Sequence, residues 1–170
     1  MILGVGCWRG TGATTTATLL CTAMAARGDR PWLIEADPAG GVLAARLDLG
    51  GAAGLEKVVL PDDASAPAQE RFAAAGADVA GIRVVPAPGD AFRAWACHLP
   101  RRPWTPLLRE LAGPVVVDVG TLRGGTPAGP LLAQLDALLL VATSDPVSIA
   151  ATLEWAELQG RVSPNDGGLA

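Results

Sequence analysis

Lysine is almost missing from this sequence: Lys57 is the only one in 170 residues, and 13 basic residues face 17 acidic ones for a net charge of −4. A surface that grips nucleic acid by bulk charge needs clustered cations, so direct DNA binding finds no support in this composition. Histidine is as scarce, with His98 alone. One imidazole and no cysteine cluster exclude a zinc-type site, and no Ser/His/Asp triad can be assembled. His98 lies on an alanine-rich helix with Trp95 and Cys97 and reads as a packed or surface histidine. The cysteines are three, Cys7, Cys21 and Cys97, an odd number without a CxxC pair. They read as reduced, mostly buried thiols of a cytoplasmic protein. Long apolar runs are absent too. The start, MILGVGCW, is too short and has no basic flank for a signal peptide or a span. The later run Ala137 to Ala142 is strand-sized.

What the chain does have is apolar mass, 50% of its residues, enough for one domain over residues 1–170 with a sizeable core. Strands are predicted at Ile2–Val5, Pro31–Ala36, Ile82–Val85, Pro114–Val119 and Ala137–Ala142. Helices are predicted at Thr14–Arg27, Gly41–Leu47, Ala68–Ala75, Asp90–Leu99, Thr105–Leu111 and about Val147–Leu158, with one short helix near Leu55–Leu60. Residues 49–67, rich in Gly, Asp, Ala and Pro, read as mostly loop. Strands apolar on both faces, alternating with helices, indicate α/β: a three-layer, doubly wound, mainly parallel sheet. The chain stops at SPNDGGLA where such a domain normally continues, so further C-terminal strands are expected.

Sites in open parallel sheets lie beyond the C-terminal strand ends. Three segments deliver polar groups there. In the first, Cys7 to Thr16, Gly10 and Gly12 permit the backbone angles that curl amides around an anion. Thr14 and Thr15 open the following helix, one hydroxyl suited to Mg²⁺ and the other to a phosphate oxygen. The same residues also make an ordinary glycine turn with a threonine-rich helix start. The second segment brings Asp37, either a turn former before Pro38 or a group that positions water. The third brings Asp118, either a cap for the following turn or a carboxylate that holds Mg²⁺ through water. Ser144-Asp145-Pro146 reads as the cap of the last helix, Arg101-Arg102 as a solvated turn, and Trp8 as an exposed loop tryptophan suited to stacking or docking.

Together these segments resemble the ParA/MinD family of P-loop ATPases (SIMIBI type), whose deviant Walker-A loop has the form KGGxGKTT. That loop falls on Trp8 to Thr15, WRGTGATT. The family's DxDPQG stretch resembles Glu35 to Gly40, EADPAG. Its strand-end aspartate resembles Asp118 in DVGT, and LLLVATSDPVSIAA matches the later strand, Pro-Ser segment and helix. The resemblance implies ATP or ADP with magnesium as cofactor. Arg9, Gly10, Thr11, Gly12, Ala13, Thr14 and Thr15 would surround the phosphates, Thr14 and Asp118 would share the metal, and Asp37 would orient the attacking water. It further implies a homodimer or a ParA/MinD-like ATPase partner, and a protein cargo in chromosome or plasmid partitioning or in positioning secretion or pilus machinery.

Both of the family's loop lysines are replaced, one by Ala13 and the other, which crosses into the partner's site, by Trp8; a loop glycine is Arg9. The sequence also resembles an actinobacterial-looking branch whose loop reads GSPGVTTTA, likewise without lysine. Loss of one charge-assisted phosphate contact costs about 1.5–3 kcal/mol, roughly ten- to a hundred-fold in affinity. Turnover suffers more, since removing a cation that neutralises the transferring phosphoryl costs about 10³–10⁵. The expectation is a pseudo-ATPase with weak or absent hydrolysis, Arg9 being the available substitute cation. The alternative is a non-catalytic interaction or regulatory protein that binds no nucleotide.

Overall fold

The structure is a computed structural model; it describes residues 1–100, 103–122 and 127–161. Arg101, Arg102 and the SPNDGGLA tail lie outside these. Six strands form one sheet: β1 (Ile2–Cys7), β2 (Trp32–Glu35), β3 (Ala77–Val79), β4 (Ile82–Val85), β5 (Val115–Thr121) and β6 (Ala137–Val141). Their order is β3-β4-β2-β5-β1-β6. All pairs are parallel except β3–β4. The helices are α1 (Ala13–Ala26), α2 (Leu43–Arg46), α3 (Leu55–Val59), α4 (Ala68–Ala75), α5 (Ala91–Ala96), α6 (Gly129–Leu132) and α7 (Pro146–Arg161), with a 3₁₀ helix at Thr105–Glu110. No helix among the described residues is long and apolar enough to cross a membrane.

Alternation within each strand divides the core into two layers. Val5, Leu33, Val84 and Val116 point to one face and pack with Ala13, Ala17 and Cys21 of α1 and Leu43 of α2. Trp32, Ile34, Val85, Val115 and Val117 point to the other. There they meet Leu55 and Val58 of α3, Phe72 of α4, Leu108 of the 3₁₀ helix and Leu131 of α6. An aromatic row runs through this second layer. Trp32 meets Phe72 edge-on at 6.0 Å, and Phe72 lies 6.4 Å from Trp104. Such offset and edge contacts add to the area these rings bury.

The short strand β3 escapes sequence patterning. It pairs antiparallel with β4, joined by Ala80 and Gly81, both at positive φ (51° and 84°). Positive φ at both central residues is what a tight hairpin with right-handed strand twist requires. Asp78 Oδ1 accepts from the Gly81 amide at 3.1 Å and fixes the turn.

Two features position the C-terminal edge of the sheet. β5 is inserted between β1 and β2, so the loops leaving all three strands lie side by side. The β1–β5 register then slips: Val5 pairs with Asp118 but Gly6 pairs with Gly120. The extra residue, Val119, makes a bulge of the kind that re-aims neighbouring side chains near sites. Val119 lies in the layer with Trp32, as Val115 and Val117 do, while Asp118 stays on the α1 side.

Candidate functional site

The loop between β1 and α1 is held at both ends. Leu122 donates its amide to the Cys7 carbonyl at 2.7 Å, and the Thr11 hydroxyl donates to the Val141 carbonyl at 2.8 Å, tying the loop to β6. Gly12 stands at the head of α1 with φ 107°, a left-handed conformation that favours glycine. No side chain caps this helix and its first turn holds no acid. The amides of Ala13, Thr14 and Thr15 precede the first helical acceptor and carry the positive end of the dipole. Backbone of this form suits an anion. Gly10 and Arg9 are exposed, Thr15 is exposed and Thr14 half-buried.

Ala13 is buried and packs in the α1-side core. The resemblance places a lysine at this position. Trp8 corrects the expectation of an exposed ring: it is half-buried and lines a small cleft with Leu122, Leu140, Thr152 and Trp155 of α7. Sequence pattern misses this because α7 reaches the loop only through the placement of β6 beside β1.

Asp118 is fully buried at the end of β5, with its Oδ1 accepting from the Gly120 amide at 3.1 Å. Its Oδ2 has no hydrogen-bond partner. The Thr14 hydroxyl stands beside this carboxylate and favours its charge, without closing a bond of normal geometry to Oδ2. Burial, reinforced by Glu35 and Asp37, pushes the Asp118 pKa up to about 6. An acceptor fully withdrawn from water and left unpaired is costly.

Asp37 is half-buried and does two things at once. Its Oδ1 accepts from the Ala39 amide at 2.8 Å, closing the expected turn before Pro38, and the Thr121 amide supports the same carboxylate. Burial pushes its pKa up against these bonds. The structure therefore brings Thr14, Asp37 and Asp118 to one place, as their strand ends predict. Gly120 makes this possible. It has φ +65°, and a Cβ there would stand 2.0 Å from Asp37 Cγ. Gly120→Ala is expected to push Asp37 from the sheet edge and to destabilise by about 2–4 kcal/mol, from left-handed strain and overpacking. Urea unfolding of the variant checks this, and a loss below about 1 kcal/mol refutes the close packing.

The residue that sequence reading undervalued is Glu35. It is buried, pairs in register with Asp118, and accepts from the amides of Val42 (2.7 Å), Leu43 (3.1 Å) and Ala87 (3.0 Å). It is a clamp that joins β2 to the head of α2 and to the loop after β4. Burial pushes its pKa up, and the three amides oppose the rise. A buried acid in an apolar strand, followed by a glycine-rich turn, is the sequence signal for such a clamp. Among the described residues no group of three His, Cys, Asp or Glu is arranged to hold a metal ion by itself.

No protein-family profile matches this sequence, and no curated protein matches it in sequence. Solved structures do match it in shape. The kinase domain of VpsO superposes with a TM-score of 0.71 at 17% identity, covering 94% of this chain and 78% of that one. The cell division ATPase MinD of Pyrococcus furiosus gives 0.61 at 17% identity, covering 94% and 66%. The fold is that of MinD. The septum site-determining protein MinD of Pyrococcus horikoshii, solved with Mg-ADP, gives 0.63 at 15% identity, covering 94% and 65%. Plasmid partition and McdA structures share the same MinD-like fold. The chain thus spans about two-thirds of each MinD, and its sheet has six strands in the order β3-β4-β2-β5-β1-β6.

Proposed function

We propose that this chain is a MinD/ParA-like nucleotide-binding protein that holds ATP or ADP with magnesium weakly and hydrolyses it little or not at all. It acts in spatial organisation of a cargo in the cytoplasm, or regulates a competent ATPase, as a homodimer or with such an ATPase as partner. The observation that carries this reading is the fully buried Asp118 carboxylate, one oxygen unpartnered, beside Thr14 under the uncapped head of α1. A magnesium ion chelated by phosphates needs only one or two protein oxygens. Thr14 and Asp118 fit that demand, whereas an all-protein metal site finds no ligand set among the described residues. The phosphates would rest on the amides from Gly10 to Thr15, and Asp37 would stand ready to orient water.

The weakness follows from the cations. Ala13 is committed to the core and Trp8 to the cleft against α7, so neither position supplies charge. Arg9, exposed on the loop, is the nearest cation in sequence. These two packed positions also favour the second reading, a non-catalytic interaction protein whose loop binds no nucleotide.

Titration with ATP and a non-hydrolysable analogue, with and without Mg²⁺, separates the two. The expected result is weak, magnesium-dependent binding that falls about tenfold in Thr14→Ala, the size of one lost charge-assisted contact. No binding at millimolar nucleotide in the parent chain overturns the nucleotide reading in favour of the second. Turnover that disappears in Arg9→Ala would show instead that hydrolysis survives.

A further inference from the structure

On the sheet face opposite α1, α3 and α4 frame a cleft of about 340 Å³. Its walls are Val59, Leu60, Pro61, Ala64 and Pro103, and among the described residues its one charged group is Arg71 of α4. The Arg71 fork is held by Nη2, which donates to the Val58 carbonyl near the end of α3. Nε is buried without a partner, so the charge is partly withdrawn from water. Nη1 makes no hydrogen bond and is not buried, which leaves it as the arm that the cleft exposes. Arg71 forms no ion pair among the described residues.

A half-buried cation without an acid is unusual, because charges withdrawn from water are ordinarily paired. The acids of the adjoining loop are committed elsewhere: Asp62 pairs with Lys57, and Asp63 accepts from the Ser65 amide and hydroxyl. A second cleft, of about 280 Å³, adjoins the first and shares Val59 and Leu60 with it. It runs on to Ala96, Cys97 and Leu99, and its only charged groups among the described residues are Glu56 and Arg93, which satisfy each other in an ion pair. Leu60 and Leu99 leave half their surface exposed, 50% and 49%. The two clefts form one groove, with an unmatched positive charge at one end and apolar walls along the rest.

We propose that this groove binds an aliphatic carboxylate, a fatty acid of medium chain length, with its head on Arg71 Nη1 and its tail laid over Leu60 toward Leu99. One cation balances the single charge of a carboxylate, whereas a phosphate dianion would leave charge over against an apolar wall. The guanidinium fork suits carboxylate oxygens in geometry as well as in sign. Orientation follows from the charges, since Glu56 stands in the far cleft and disfavours a second carboxylate there. The tail gains by covering Leu60 and Leu99. The size of the groove falls in the range of small-molecule sites, roughly 300–1,000 Å³. This binding is independent of nucleotide.

The full chain is titrated with octanoate, with 1-octanol as the same tail lacking the charge, and with acetate as the same head lacking the tail. The readout is the backbone amide resonances of Leu60, Ala64 and Leu99. The expected result is saturable movement of all three with octanoate and none with acetate. Octanol should bind at least about tenfold more weakly than octanoate, the size of one charge-assisted contact. Arg71→Met keeps an apolar stem and should lose the preference for octanoate over octanol, whereas Arg71→Lys keeps the charge and should retain part of it. If Arg71→Met fails to fold, the comparison of octanoate with octanol on the native chain decides the matter alone. Three results overturn the proposal: equal affinity for octanoate and octanol, saturation by acetate as tight as by octanoate, or no saturable shift with octanoate below its micelle concentration.

Discussion

Asp118→Asn raises the unfolding midpoint at pH 7.5 and, in the same protein, removes magnesium-dependent nucleotide affinity. The stability half follows from the direction of the pKa shift. The folded-state value, pushed up to about 6 chiefly by burial, lies above that of an unfolded aspartate. For an acid raised in this way, the stabilising contribution is full below the unfolded value, near pH 4. It is lost as pH rises through the folded one. Above pH 7 the ionised carboxylate costs the fold about 2–3 kcal/mol. Asparagine keeps the shape and the oxygen that accepts from Gly120, and it removes the charge. The midpoint should rise by about 4–8 °C at pH 7.5, and the gain should vanish near pH 4. Scanning calorimetry at the two pH values measures it. A variant that is less stable at both, or equally more stable at both, shows that the buried charge is not the cause.

The affinity half comes from the same oxygen. On the proposed nucleotide reading a cation would satisfy the unpartnered Oδ2, so a carboxylate costly to the empty protein would become favourable when magnesium and phosphate arrive together. An amide nitrogen in that place cannot ligate. A stabilising substitution that abolishes binding is the signature of a site kept at the expense of stability. Nucleotide affinity unchanged in Asp118→Asn would place the site elsewhere.

Glu35→Ala is expected to cost about 3–6 kcal/mol, because it strands three backbone amides that the carboxylate now accepts. Val42 and Leu43 head α2, and Ala87 begins the approach to α5, so both segments lose their tether to β2. Glu35→Gln keeps one acceptor oxygen but turns an NH₂ toward donors, and an intermediate loss is expected. Urea unfolding gives the totals, and hydrogen exchange at Val42, Leu43 and Ala87 locates them. The effect extends to the site, since Asp37 follows two residues later and its turn is carried by the same strand. A loss within about 1 kcal/mol of the parent would mean that water replaces the clamp, and the role assigned to Glu35 would fall.

Much of this architecture was legible in the residues. Trp32–Glu35, Val115–Thr121 and Ala137–Val141 are apolar runs bounded by Pro, Gly or Asp, and the strands observed there lie within about two residues of expectation. Thr14 to Ala26 carries a helical period, and Asp145 caps α7 as its sequence predicts, accepting from the Ser148 amide at 2.8 Å. These signals are local: they depend on which side chains alternate or recur within one turn or one pleat. The identity of the strand ends that bear Thr14, Asp37 and Asp118 was local in the same sense.

Their meeting was not. It depends on β5 slipping between β1 and β2, on the bulge at Val119, and on Gly120 leaving room for Asp37. The burial of Trp8 against α7 and the clamp role of Glu35 are decided in the same way, by elements far apart in the chain. For the loop from Met1 to Thr16, the sequence alone determined a glycine cradle without lysine. Only the tertiary structure decided that Ala13 and Trp8 are packed rather than idle. Burial pattern is written residue by residue, whereas proximity is set by the order in which strands pair.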